Sequence, residues 1–101
     1  MQPESAVPVA RVGVGMEVAD AAGQQAGTVT AVQMPGTQVR PDVAAGIAEE
    51  LMATGYVRID GTGWLSNDTY AGGDQIDEVT EGEPGSVALR VTRDELFRSA
   101  S

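Results

Sequence analysis

From Val12 onward apolar residues alternate with other residues, at Val12, Val14, Met16 and Val18, which is the period of a half-buried strand, and Gly13 and Gly15 loosen its first part. Residues 20–27 (DAAGQQAG) read as a turn carrying two glycines, and residues 28–34 (TVTAVQM) are rich in β-branched side chains. Together they predict a first hairpin. Pro35 and Gly36 end its second strand, and a loop is expected through Pro41. Asp42 then offers a helix N-cap, Val43, Ile47 and Leu51 recur at i, i+4 and i+8, and Gly55 supplies a stop. Gly46 costs such a helix about 1 kcal/mol relative to alanine, so packing has to hold it.

A second hairpin is predicted where residues 56–60 (YVRID) and 64–70 flank Gly61, Thr62 and Gly63. With a two-residue loop at Gly61 and Thr62, Ile59 faces Trp64. After the glycines at 72 and 73, residues 75–80 and 86–91 flank EGEPG and give a third hairpin, with Val87, Leu89 and Val91 on one face. Thr92, Arg93, Asp94 and Glu95 fit a capping box, which predicts a short helix over 93–98. The expected class is mainly β with minor α: about six short strands, one inserted helix and a short C-terminal helix. A chain this short cannot cover the edges of a flat sheet, so the strands are expected to curl into a small β-barrel.

Composition narrows the chemistry more than the fold. The chain has 101 residues, room for one domain over 11–98 behind a flexible arm at 1–10, which carries Pro3, Ser5 and Pro8. It contains no His, no Cys and no Lys, so its six basic side chains are all Arg. Zinc and haem ligation, thiol nucleophiles, Ser-His couples and Schiff bases are therefore closed to its side chains. A formal net charge of −9 opposes nucleic acid and anionic membrane surfaces. With no basic leader before an apolar run and no stretch approaching the ~18 apolar residues of a membrane span, a soluble cytoplasmic protein is the expectation.

Gly15-Met16-Glu17-Val18, then Asp20, Gly23, Gly27-Thr28-Val29 and Val32, and later Tyr70, Asp74, Ile76, Val79 and Val87-Ala88-Leu89 form a pattern that resembles the PRC-barrel group, in particular its short bacterial members. The resemblance runs over roughly residues 12–97, and it departs from the shortest pattern by the segment 35–55. It implies a small β-barrel that serves as an adaptor rather than a catalyst, with no cofactor. Other members are the photosynthetic reaction-centre H subunit and a ribosome-maturation factor. The membrane anchor of the one and the second domain of the other have no counterpart here, so those roles are not carried over.

The function expected is thus a non-catalytic protein-interaction module that docks to a protein partner or to itself. The alternative is a binder of a small ligand or divalent cation at the acidic hairpin ends, where Asp60, Asp68, Asp74, Asp77 and Glu78 cluster. Neither DGTGWLSND nor NDTYAGGDQIDE has the oxygen spacing of a Ca²⁺ loop, and a solvated acidic rim explains the charges without a metal. Gly13-Val14-Gly15 is no dinucleotide loop, because Val18 stands where a third glycine is needed. Trp64 is expected in the core, with a stacking platform as the alternative, and the pattern leaves Tyr56 and Tyr70 unassigned. On the helix, at about 100° per residue, Val43, Ile47 and Leu51 form one side and Ala44, Ala48 and Met52 the next. The second stripe is a candidate partner surface, most simply for a two-fold homodimer. Helix propensity explains its alanines equally well.

Overall fold

The computed structural model describes residues 8–61 and 68–98. The protein is mainly β: strands β1 (Glu17–Ala19), β2 (Gln25–Gln33), β3 (Tyr56–Asp60), β4 (Thr69–Gly72), β5 (Ile76–Thr80), β6 (Ser86–Leu89) and β7 (Phe97–Arg98) make one sheet, with one α-helix, α1 (Ala45–Thr54). Their order across the sheet is β5-β6-β1-β2-β3-β4-β7. The hairpins β1–β2 and β5–β6 both form, but the alternation from Val12 misplaces the start of the first: β1 is only Glu17–Ala19, Val14 is exposed in a turn with Gly15 at φ 98°, and β2 begins at Gln25, inside the expected turn. Every pairing is antiparallel except that of β1 with β6, which sets Val18 beside Val87.

One face of the sheet carries the main core. Val18, Val29, Val57, Ile59, Ala71, Ile76, Val79, Val87 and Leu89 share a single buried cluster with Leu96, just before β7. Outside the strands, Val9, Val12, Met16 and Leu96 join them, with half-buried Val91 packed against the cluster. Among the described residues no ladder joins β5 to β7, and the sheet is not closed as a barrel. Val9, in a 3₁₀ turn at Pro8–Arg11, is fully buried. The packed domain therefore starts earlier than residue 11, and the inner end of the expected arm belongs to it.

Three local expectations are corrected. In the second hairpin Ile59 stands opposite Thr69, not Trp64, and Arg58 opposite Tyr70, so the two-residue loop at Gly61 and Thr62 is ruled out. Trp64 lies outside the described residues. The helix begins at Ala45 with Ala44, not Asp42, at the N-cap, where its side chain has no group to offer a cap bond; the N–H of Asp42 is held instead by the Tyr70 hydroxyl. Gly55 does end it, at φ 82°, with the backbone of Gln33 so close that a side chain would be crowded. At the C-terminal end the Thr92 N–H does meet the Glu95 carboxylate, at 3.3 Å, but the helix amounts to one 3₁₀ turn, Arg93–Glu95. Leu96 then enters the core and Phe97 pairs with Tyr70, which pulls the chain into an extended strand.

Candidate functional site

The alternation of β3 and β4 sends Val57, Ile59 and Ala71 to the main core and leaves Tyr56, Arg58 and Tyr70 on the opposite face. There the inserted segment covers them. Leu51, Tyr56 and Tyr70 form a second buried cluster, flanked by half-buried Val43, Ile47, Met52 and Phe97. The two tyrosine rings meet edge to face, 5.6 Å apart at 75°. The Arg58 guanidinium lies 5.5 Å from the Tyr70 ring centre, and its Nε donates to Asp68 at 2.7 Å. That hydrogen bond raises the pKa of Arg58, with burial working against it and the Tyr70 and acidic neighbours adding to it.

A strap of chain, residues 36–44, runs over this face before α1. The Tyr56 hydroxyl donates to the Val39 carbonyl at 2.9 Å, and the Asp42 N–H donates to the Tyr70 hydroxyl at 3.3 Å. Pro41, between these two anchors in the chain, is buried, whereas Gln38, Val39 and Arg40 are exposed. Burial lifts the pKa of the Tyr56 hydroxyl, Tyr70 adds to the lift and Arg58 opposes it, so the group stays a hydrogen-bond donor at neutral pH. Since Arg58 and Asp68 are partly solvated, Asp68→Asn is expected to lower the unfolding free energy by only about 0.5–1 kcal/mol in a urea titration.

The stripe expected to face a partner is divided by the structure. Ala48 is fully buried inside the chain, Met52 packs half-buried beside the tyrosine cluster, and Ala44 is exposed at the N-cap. The three do not form a free surface, because α1 turns Ala48 and Leu51 together towards the sheet. The acidic hairpin ends are likewise dispersed. Asp68 is engaged by Arg58, while Asp60, Asp77 and Glu78 are exposed. Asp74 lines a cavity of about 80 Å³ with Glu50, Leu51, Thr54, Gln75 and Phe97. Among the described residues no group of three acidic side chains is placed to hold a metal ion.

Among the described residues Asp20 is the buried carboxylate. It is 6% exposed and accepts from the N–H groups of Ala22 (3.0 Å), Gln24 (2.7 Å) and Arg93 (2.8 Å). Burial pushes its pKa up, and the three backbone donors, with the Arg93 charge, outweigh that and leave it lowered. Asp at the head of a Gly-containing turn was the sequence signal for such a clasp, although its reach to Arg93 is tertiary. Beside this turn a groove of about 200 Å³ is lined by Glu17, Val18, Ala19, Gly23, Gln25 and Ser86. Among the described residues no helix is long and apolar enough to cross a membrane. No family model, curated protein or solved structure matches this chain.

Proposed function

We propose that the protein is a non-catalytic interaction module of the PRC-barrel type, cytoplasmic, which docks to a protein partner or to a second copy of itself. The observation that carries this reading is the assembly of the signature segments. Although far apart in sequence, Gly27-Thr28-Val29 and Val87-Ala88-Leu89 fall on the strands either side of Glu17-Val18, with Val18 opposite Gly27 on one side and Val87 on the other. In this reading the sheet curls into a small barrel whose seam lies between β5 and β7. Its polar side chains serve the fold: Asp20 clasps three backbone amides, Arg58 holds Asp68, and Arg90 and Arg93 donate to the carbonyls of Ile76 and Gln25.

The test combines capture and ligand screening on the full chain. Tagged protein added to a lysate of its own host is expected to retain one protein in fixed stoichiometry, or to self-associate in light scattering. EDTA is expected to leave the unfolding midpoint unchanged, as are added divalent metals, nucleotides and metabolites. A ligand at 100 times its dissociation constant would raise the stability by about 2.7 kcal/mol, which a thermal scan resolves. Such a shift, with no retained protein, overturns the module reading in favour of a ligand binder at the acidic rim.

A further inference from the structure

The outer face of β3–β4 holds a segment of backbone that belongs to no helix or strand. Its two tyrosine hydroxyls take one carbonyl, that of Val39, and one N–H, that of Asp42, and neither bond depends on the side chain of the residue held. Between those two backbone groups the buried residue is a proline, Pro41. Proline has no N–H to leave unsatisfied and prefers the extended backbone that aromatic-lined grooves select. The residue before it, Arg40, is exposed, on a chain whose net charge is −9. We propose that this face is a peptide-docking groove which the chain fills with its own residues 38–42, and that an extended segment of a protein partner, carrying proline next to a basic residue, takes their place.

Residues 38–42 form no strand, and α1 keeps its own buried residues, Ala48 and Leu51, while Val43 at the end of the strap packs on the cluster that Leu51 joins. Upstream the strap is tied by the Gly36 N–H to the Met52 carbonyl, and the Thr37 hydroxyl bonds the Gln33 side chain. Elements secured by few backbone bonds and much exposed surface open at a lower free energy than the sheet beneath them. A tethered occupant also competes at an effective concentration of order millimolar, so the closed strap screens out weak partners. The inference rests on the interaction-module reading and names the partner's chemistry.

The experiment uses the full chain with its strap replaced, Thr37→Gly, Gln38→Ser, Val39→Gly, Arg40→Ser and Pro41→Gly, and a synthetic peptide of residues 37–43 added in trans. Binding is read by NMR shift changes of the backbone amides of β3 and β4. The peptide is expected to bind the strap-replaced protein at least tenfold more tightly than wild type. Adding Tyr56→Phe and Tyr70→Phe, with the fold checked by circular dichroism, should weaken it by a further tenfold or more. A folded strap-replaced protein that ignores the peptide at millimolar concentration overturns the groove, and if wild type still captures its partner the module reading survives. Should the replaced chain not fold, hydrogen exchange on wild type decides. The Asp42 amide is expected to exchange well before those of Val57 and Ile59, whereas exchange in step with them would make the strap a fixed part of the core and overturn the proposal.

Discussion

Replacing Asp20 by alanine is expected to lower the unfolding free energy by about 3 kcal/mol, since hydrogen bonds to a charged acceptor contribute roughly 1.5–3 kcal/mol each and partly buried donors would lose theirs. Three N–H groups depend on this carboxylate, two in the β1–β2 turn and one at Arg93 beyond β6. For a domain of this size the melting temperature should fall by more than about 10 °C. Asp20→Asn separates the contributions. Its oxygen can still serve Ala22 and Gln24, but its amide would set a donor against the Arg93 N–H, and about half the loss is expected. The charge also fixes the sign of the pH dependence. Because the folded pKa is lowered, the unfolded chain binds more protons in acid, so the stabilisation is complete above the unfolded value near 4 and disappears as pH falls through the folded value. Urea midpoints measured between pH 2 and 6 should drop steeply on the acid side for wild type and less steeply for Asp20→Asn. Parallel curves for the two proteins would show that another carboxylate governs acid unfolding.

Gly27→Ala is expected to be at least as damaging. Gly27 has φ 143°, a conformation open to glycine, and a Cβ there would run into the carbonyl of Asp60 and come within 2.8 Å of Ile59 Cγ2. The obstacle is the backbone of β3, which cannot retreat without breaking the β2–β3 ladder at Thr28 and Asp60. Overpacking and backbone strain each cost roughly 1–3 kcal/mol, so a loss of about 4 kcal/mol is expected, a large share of the stability of a small domain. Gly46→Ala is the contrasting case. Gly46 is helical, and nothing lies within 4 Å of where its Cβ would be, so helix propensity alone should raise stability by about 0.8 kcal/mol. Far-UV circular dichroism during urea unfolding measures both, and equal effects would refute the steric account of Gly27.

Strands β2 and β6 were legible because each rule pointed the same way: alternation at Val87 and Leu89, β-branched residues from Thr28 to Val32, and glycines at the turns. What escaped was tertiary. The pattern Val43, Ile47, Leu51 used a residue that precedes the helix, and with alanine on most sides the rotation of α1 is set by what it meets, which buries Ala48 beside Leu51. The register of β3 on β4 was not in the alternation either. It brings Arg58 across from Tyr70 and within reach of Asp68, residues that a local reading had no reason to join. The tyrosine site became visible only once both strands were paired, since Tyr56 and Tyr70 owe their shared face to that register and their partners to a strap that carries no periodic signal.

The parallel ladder between β1 and β6 bears on how the chain reaches this structure. Glu17 lies beside Ser86, so the middle of the sheet cannot close until nearly the whole sequence has looped back on itself. Single hairpins form within about 1–10 μs but are marginal alone, and all-β topologies with such distant pairings fold in milliseconds to seconds. During synthesis the β1–β2 hairpin must therefore wait, with one backbone edge unpaired and Val18 and Val29 short of their core, until residues 86–88 have emerged. A polypeptide ending before β6 would keep that edge open permanently and be prone to aggregate through it.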